Sequence, residues 1–216
     1  MTRWLAAFAA LGLAFVVYTQ VVGLGGALGG DLATAQLLAP TWRDGLRPLA
    51  FGVALLGGAE LTVLLAAGLA FYLARSGFRS EAWALLALVV ATCAEVAYKL
   101  LLHHPAPTRF SHGDGPSLTM LLEGGRIIGA NSYPSGHTLR AVLVYGLLAF
   151  VIHRLAPAGP WQRLAVPAAA VIIALVAFDR LYLGVHWASD VVGGLLLGGL
   201  LLAAAIAWLD KPRGAA

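Results

Sequence analysis

Two histidines and an aspartate stand out in a sequence that is otherwise dominated by apolar residues. His186 and Asp190 lie four residues apart in the stretch RLYLGVHWASD, residues 180–190. On a helix this spacing puts both side chains on one face, where a carboxylate can bind one ring nitrogen and leave the other free to act as a nucleophile. His137, in the stretch PSGH at residues 134–137, could serve as a general acid. These residue types are suited to covalent catalysis.

Basic side chains and a helix start near these histidines predict an anion-binding site. Lys99 and Arg180 are cations, and the planar guanidinium group of arginine matches phosphate oxygens. Ser135 and Gly136 immediately precede a predicted helix, where free backbone N–H groups and the helix dipole favour an anion. Glycine also lets the backbone approach a ligand closely. Together with the histidines, these groups indicate phosphoryl transfer.

Apolar segments must position these side chains. The chain has 216 residues, of which 60% are hydrophobic and 11% are charged, whereas a soluble domain carries about 25% charged residues. Spanning helices require about 20 apolar residues, and the suitable segments are 4–23, 50–73, 82–102, 135–153, 164–182 and 187–208. The sequence therefore predicts an all-α, six-transmembrane-helix bundle in one domain, residues 1–216, with long connections at 24–49 and 103–134.

The first segment could instead be a signal peptide, because Arg3 precedes an apolar stretch.

The lysines and arginines predict the orientation in the membrane. They are scattered between apolar runs, which argues against nucleic acid as a partner and indicates a bilayer with anionic lipid. With both termini cytoplasmic, more basic residues lie at inner helix ends than in outer loops, as expected from the positive-inside rule. The inner set is Arg3, Arg75, Arg79, Arg154, Arg163, Lys211 and Arg213, and the outer set is Arg43, Arg47, Arg109 and Arg126. In this topology, in an inner or plasma membrane, Lys99, PSGH, Arg180 and His186 all face the periplasm or exterior.

These motifs resemble those of the membrane-bound type-2 phosphatidic acid phosphatase superfamily, which includes lipid phosphate phosphatases and undecaprenyl-diphosphate phosphatases. RLYLGVHWASD is similar to R-x5-H-x3-D, PSGH to the second motif, and KLLLHHPAP at 99–107, incompletely, to K-x6-R-P; the resemblance covers about residues 95–195. It implies that His186 forms a phosphohistidine, that Asp190 orients His186, and that His137 protonates the leaving group. It implies no metal or other cofactor. The phosphate-binding positions that it implies are Lys99, Ser135, Gly136 and Arg180.

Two positions depart from the family pattern. Ala106 stands where the first motif has arginine, so one phosphate-binding cation is missing. The residues that could replace it are Arg109, Arg126 and Arg140. We expect Arg109 to do so, because the prolines at 105 and 107 stiffen the stretch and could turn Arg109 toward the phosphate. The second departure is Asp179, where the family usually has serine; this acid could orient Arg180 or weaken its hold on phosphate.

Three functions fit these residues. The first is a membrane lipid phosphatase acting on a polyprenyl diphosphate, phosphatidic acid or phosphatidylglycerol phosphate as its lipid partner. The second passes the phosphoryl group to an acceptor other than water, and the third is a non-catalytic phospholipid-binding or transport protein. Ala106 favours the third function, whereas the retained histidines oppose it. Zinc bound by His186 and Asp190, with His103 or His104, is a further alternative, which the converging cations oppose.

Overall fold

The structure is a computed structural model that describes residues 2–78, 82–113 and 131–210. The regular structure of these residues is helical, so the all-α prediction is confirmed for them. The α-helices are α1 (Thr2–Gly23), α2 (Leu28–Leu38), α3 (Arg47–Gly57), α4 (Ala59–Arg75), α5 (Leu86–Leu101), α6 (Gly136–Leu155), α7 (Pro160–Tyr182) and α8 (Ala188–Leu209). Short 3₁₀ turns lie at Ala39–Thr41, Asp44–Leu46, Trp83–Leu85 and Thr108–Phe110. Four residues of the charge count, Arg79, Arg126, Lys211 and Arg213, lie outside the described residues.

Long apolar helices make this chain a multi-pass membrane protein. Four helices, α1, α6, α7 and α8, are long and apolar enough to cross a membrane. Asp44–Gly57 and α4 together meet the same requirement if they form one span bent by 41°. The predicted segment 82–102 contains α5, whose 16 residues fall short of the roughly 20 that a straight span requires. The described residues thus contain four or five candidate spans, and a count of six stays a prediction.

The predicted span 50–73 is wrong as one continuous helix, because the chain breaks between α3 and α4. Gly58 is extended at the break, with φ −62° and ψ 152°. Side chains of α6 bind carbonyl groups at the end of α3 that the break leaves free. Tyr145 Oη donates to the Leu56 carbonyl oxygen over 2.9 Å, and Arg140 Nε donates to the Gly57 carbonyl oxygen over 3.2 Å. These two hydrogen bonds therefore hold the end of α3 against the middle and the start of α6.

The predicted connection 24–49 also contains more regular structure than expected. Its residues 28–38 form α2, in which alanine, leucine and glutamine favour a helix. Asp31 lies in the first turn of α2, where the helix dipole favours a carboxylate. This side chain is only 2% exposed, because α2 packs against the start of α8. As a result, α2 lies beside the predicted site residues of α8.

The central helix of the bundle is α6. It packs against α7 and α8, and α8 packs in turn against α1. Leu139, Leu143 and Leu147 are fully buried along one face of α6, at the spacing of a helical stripe. By contrast, α1 and α7 expose apolar side chains such as Leu13 and Val171, as expected where helices face lipid. The PSGH turn is consequently fixed to the best-packed helix of the protein.

Tyr133 joins α1 to the segment that leads into α6. Its hydroxyl group lies 2.8 Å from Thr19 Oγ1, and its ring stacks near Phe15 and meets the edge of Tyr98. Burial raises the pKa of the Tyr133 phenol to about 12, because the phenolate would lose its hydration. Tyr133 therefore stays neutral at physiological pH and anchors the residues immediately before PSGH.

Candidate active site

The ends of four helices meet on one side of the bundle. The predicted groups at these ends are Lys99 in the last turn of α5, Ser135 and Gly136 at the start of α6, Arg180 in the last turn of α7, and Asp190 in the first turn of α8. His137 lies within electrostatic range of His186 and of the cations Lys99, Arg140 and Arg180. The structure thus brings both histidines and three basic side chains into one region.

A tight turn carries the chain from Arg180 to His186. The backbone N–H of Val185 donates to the Arg180 carbonyl oxygen over 3.3 Å and closes the end of α7. Gly184 has φ +63°, a conformation that residues with a Cβ rarely adopt. A Cβ at this position would also lie only 2.1 Å from the Phe110 carbonyl oxygen. Glycine at 184 therefore permits both the turn and the loop packed on it, and His186 emerges just before α8.

His186 and Asp190 are in direct contact. His186 Nδ1 lies 3.2 Å from Asp190 Oδ2. The same oxygen accepts the backbone N–H of Trp187 over 2.8 Å, so two donors fix the carboxylate. The Asp190 side chain is fully buried, whereas His186 is partly exposed. With the Nδ1 proton directed at Asp190, the neutral ring keeps an electron pair on Nε2 for attack on an electrophile.

A backbone hydrogen bond joins the PSGH turn to Asp190. The N–H of Ser135 donates to the Asp190 carbonyl oxygen over 2.9 Å. The Ser135 hydroxyl oxygen accepts a hydrogen bond from Thr138 Oγ1 over 3.1 Å and does not cap its own helix. On the other side, a Cβ added to Gly57 would lie 2.9 Å from the His137 carbonyl oxygen. The turn that carries His137 is therefore held between α8 and the end of α3.

Lys99 and Arg140 share one carboxylate. Lys99 Nζ lies 2.8 Å from Glu95 Oε1, and Arg140 Nη1 lies 2.8 Å from Glu95 Oε2. Glu95 is 6% exposed, and a Cβ added to Gly136 would lie 1.9 Å from its Oε1. The Glu95 carboxylate therefore lies directly against the first residue of α6, and it draws both cations to the PSGH turn.

Asp179 and Ala106, the two departures from the family pattern, lie in different surroundings. Asp179 Oδ2 lies 2.5 Å from Arg180 Nη2, and both side chains are buried, so the acid neutralises and orients the guanidinium group. Ala106 follows Pro105, whose carbonyl oxygen accepts the Trp187 indole N–H over 2.7 Å. Arg109 is exposed on the next turn, while Arg140 lies beside Lys99. The third candidate to replace the missing arginine, Arg126, lies outside the described residues.

From the sequence, His104 is expected at the membrane interface, in contact with lipid phosphate or as a zinc ligand, and Asp31 has no expected role. His104 Nε2 lies 3.3 Å from Asp190 Oδ1 and 3.1 Å from Ser189 Oγ, while His103 is exposed. Asp31 accepts two hydrogen bonds from Ser189, which lies 158 positions later in the chain. No local spacing could have revealed that contact. Among the described residues, no three His, Cys, Asp or Glu side chains are grouped to hold a metal.

Comparison with known proteins identifies the family. The model of the PAP2 superfamily matches residues 80–213, which include Lys99, the PSGH turn and His186. The chain belongs to the PAP2 superfamily. Over 71 residues it is 42% identical to phosphatidylglycerophosphatase B of Bacillus subtilis (strain 168), a match that covers 32% of this chain and 35% of that protein. Over 79 residues it is 38% identical to an Escherichia coli (strain K12) protein named as an undecaprenyl-diphosphatase, YbjG, covering 36% of this chain and 35% of that protein. Each match thus spans about a third of the relative's length.

Similarity to a solved PAP2 structure extends over nearly the whole chain. The crystal structure of a transmembrane PAP2-type phosphatidylglycerolphosphate phosphatase from Bacillus subtilis superposes with a TM-score of 0.77 at 25% identity. The match covers 95% of this chain and 97% of that chain. Most of the chain that precedes the family match is therefore also part of a shared PAP2 arrangement.

In this PAP2 site, we expect Gly136 to be required because of Glu95. Gly136→Ala must push the Glu95 carboxylate away from Lys99 and Arg140, at a cost of about 1–3 kcal/mol for an inserted methyl group. Melting in detergent should occur at a lower temperature, and kcat/KM should fall because the cations move. Glu95→Asp, whose carboxylate is one methylene shorter, should recover part of the loss when combined with Gly136→Ala. Gly29→Ala, where a Cβ meets nothing within 4 Å, is the control; equal behaviour of the two alanine variants would refute the steric argument.

Arg140 is expected to contribute more to phosphate binding than Arg109. A hydrogen bond to a charged group contributes roughly 1.5–3 kcal/mol, and about 1.4 kcal/mol corresponds to a tenfold change. Arg140→Ala should therefore lower kcat/KM by about ten- to a hundredfold on these values. Arg109→Ala should have little effect, since Arg109 is exposed on its turn. Steady-state kinetics of both variants tests the difference, and a larger loss in Arg109→Ala would restore the sequence-based expectation that this residue replaces the missing arginine.

Proposed function

We propose that this PAP2 protein is a membrane lipid phosphatase that hydrolyses a phosphomonoester or diphosphate bond through a phosphohistidine at His186. The observation that carries the proposal is the 3.2 Å contact of His186 Nδ1 with Asp190 Oδ2. This contact leaves Nε2 available as a nucleophile at a helix end that also gathers His137 and three cations. Such a constellation is suited to a reaction in which negative charge develops on phosphoryl oxygens.

Two displacements account for hydrolysis. First, His186 Nε2 attacks the phosphorus atom, the bond from phosphorus to the lipid oxygen breaks, and His137 donates a proton to that oxygen. Asp190 stabilises the positive charge that develops on the His186 ring. Water then attacks the phosphorus atom, His137 accepts a proton from the water, the bond from phosphorus to His186 Nε2 breaks, and inorganic phosphate is released. The groups that would bind the phosphoryl oxygens are Lys99, Arg140, Arg180, the Ser135 hydroxyl and the backbone N–H of Gly136, since the Ser135 N–H already donates to Asp190.

The candidate substrates are a polyprenyl diphosphate, phosphatidic acid and phosphatidylglycerol phosphate. The names of the Escherichia coli and Bacillus subtilis relatives support the first and the last of these. The decisive experiment measures phosphate release from each lipid by the purified protein in detergent with EDTA present. The proposal predicts free phosphate at a rate that EDTA does not change. A phosphorylated acceptor without free phosphate would favour a phosphotransferase, and lipid binding without either product would favour a non-catalytic protein.

We propose further that the protein lies in an inner or plasma membrane with both termini cytoplasmic and the site facing the periplasm or exterior. The distribution of lysine and arginine supports this orientation. Gly45 lies in the exposed 3₁₀ turn at Asp44–Leu46, on the side of the bundle that carries the site, since the adjacent Arg43 N–H donates to Tyr182 Oη. Ala158 is exposed at the opposite end, just before α7. These two positions therefore report on the two faces.

Cysteine at position 45 is expected to react with a membrane-impermeant thiol reagent in intact cells, after outer-membrane permeabilisation where one exists. The variants Gly45→Cys and Ala158→Cys are made in a Cys93→Ser background, because Cys93 is the only cysteine of the chain. Ala158→Cys should be labelled only after lysis. The reverse pattern would invert the proposed orientation.

A further inference from the structure

Asp31 is a buried acid that belongs to none of the motifs described above. It is 2% exposed and lies in α2, whose N-terminal half reaches the start of α8. Its Oδ1 accepts the backbone N–H of Ser189 over 2.8 Å, and its Oδ2 accepts the Ser189 hydroxyl over 2.7 Å. Ser189 is the residue immediately before Asp190. A carboxylate from a distant helix thus holds the first turn of α8, where the helix dipole also favours a negative charge.

The hydrogen bond to Asp31 fixes the direction in which the Ser189 hydroxyl donates. A hydroxyl group has one proton, and Ser189 gives it to a carboxylate that can only accept. The Ser189 oxygen must then accept from His104 Nε2, which lies 3.1 Å away. His104 therefore carries its proton on Nε2. The same nitrogen lies 3.3 Å from Asp190 Oδ1, an oxygen that makes no hydrogen bond of good geometry within the described residues.

The backbone of His104 is also held in place. Its N–H donates to Asn131 Oδ1 over 3.0 Å, and its carbonyl oxygen accepts the N–H of Ser132 over 2.9 Å. Asn131 Nδ2 donates to the Lys99 carbonyl oxygen over 2.8 Å, which ties this arrangement to the end of α5. The His104 ring thus approaches Asp190 from a fixed direction.

We propose that Asp31, Ser189 and His104 form a positioning relay that orients Asp190 and, through it, His186. The relay holds the Nε2–H of His104 3.3 Å from Asp190 Oδ1 as an electrostatic contact, while His186 and the Trp187 N–H occupy Oδ2. With two contacts at Oδ2 and the partial positive charge of the His104 N–H beside Oδ1, rotation of the carboxylate is opposed, so His186 keeps one tautomer and one orientation. Asp31 touches neither substrate nor reacting atoms and is therefore a positioning residue. Its catalytic consequence rests on the proposed function of His186.

Kinetics of three variants tests that consequence. Asp31→Asn replaces an acceptor with an amide that donates to the Ser189 oxygen, and Ser189→Ala removes the hydroxyl from the middle of the relay. Each should lower kcat by about 10- to 100-fold, the loss typical when the outer hydrogen-bond partner of a metal-binding histidine is removed, with KM nearly unchanged. The double variant should lose no more than either single variant, because both interrupt one chain of hydrogen bonds. Asp44→Asn is the matched control, since Asp44 is an exposed acid outside the relay.

A second measurement does not depend on turnover. Nitrogen-15 NMR of histidine-labelled protein in detergent reports which ring nitrogen of His104 carries the proton, and His104→Gln assigns the signal. We expect Nε2–H in the wild type and a changed tautomer in Asp31→Asn, where the freed Ser189 proton can point at His104. Melting curves of the same samples establish that the variants are folded.

These experiments distinguish a failure of the relay from a failure of the proposed function. If the wild-type protein releases no phosphate from any lipid, the proposed function fails, and the His104 tautomer alone decides the relay. A proton on His104 Nδ1 in the wild type would overturn the relay whatever the activity. With an active wild type, the relay is also overturned if Asp31→Asn and Ser189→Ala match Asp44→Asn in kcat, or if their losses multiply in the double variant.

Discussion

Replacing His186 with alanine is expected to abolish phosphate release. The reaction proposed here requires a nitrogen that bonds to phosphorus, and alanine offers none. His137 cannot take over, because it belongs to a different helix end and is assigned to the leaving group. Incubation with a lipid carrying a radiolabelled phosphate should label the wild-type protein with an acid-labile phosphoryl group, and His186→Ala should stay unlabelled. Both the rate of release and the trapped label are measured on detergent-purified protein.

His153 provides the matched control for that experiment. It lies near the opposite end of α6, where Nδ1 is 3.4 Å from the Gln162 carbonyl oxygen, so His153→Ala should retain normal turnover. Equal elution volumes and melting temperatures would establish that both variants are folded. If folded His186→Ala still released phosphate at a rate near that of the wild type, the covalent mechanism would be wrong.

His137→Ala is expected to give the second largest loss, and its size should depend on the substrate. General acid catalysis contributes roughly 10²–10⁴ to a rate. A lipid alkoxide is a poor leaving group and gains the full benefit of a proton from His137. An activated aryl phosphate leaves readily without protonation, so its hydrolysis should fall much less. The comparison requires kcat for both substrates with wild-type and variant protein.

Equal losses on the two substrates would contradict the role of His137 as an acid and favour a role in binding phosphate. Glutamine at position 137 provides an additional control, because it retains hydrogen bonding without transferring a proton. His137→Gln should therefore resemble His137→Ala in kcat on the lipid and resemble the wild type in KM. A recovered kcat in His137→Gln would likewise argue against proton transfer.

The sequence predicts which helix ends carry the chemistry, because spacing within a motif is a local property. His186 lies two residues before the start of α8 and Asp190 lies in its first turn, so the four-residue spacing predicts their contact although His186 itself is not helical. Lys99 and Glu95 have the same spacing within α5. Alternating apolar segments then predict that these ends lie on the same side of the membrane. For these residues, no tertiary information beyond the topology was needed.

Other features depend on contacts between distant parts of the chain. The break at Gly57 and Gly58 falls inside an apolar run, and side chains of α6 satisfy the carbonyl groups that it frees. A hydropathy profile reflects only the composition of each segment, so it cannot predict these hydrogen bonds between distant residues. Asp31 looks like an ordinary loop acid in the sequence, since only packing of α2 on α8 buries it. The choice of Arg140 over Arg109 likewise follows from the shared carboxylate of Glu95, which no motif specifies.

The cations of the site all have acidic neighbours before any substrate arrives: Glu95 for Lys99 and Arg140, and Asp179 for Arg180. A phosphate ion from bulk water must break into these pairs and gains little long-range attraction, because neighbouring opposite charges largely cancel at a distance. A lipid phosphate is held at the membrane surface by its hydrocarbon chain and reaches the site by lateral diffusion at high local concentration. Once its bond to the lipid is cut, the same phosphate has lost that anchorage. We therefore expect inorganic phosphate to inhibit the enzyme only weakly. Released phosphate should seldom bind again, so the reverse reaction should contribute little to turnover.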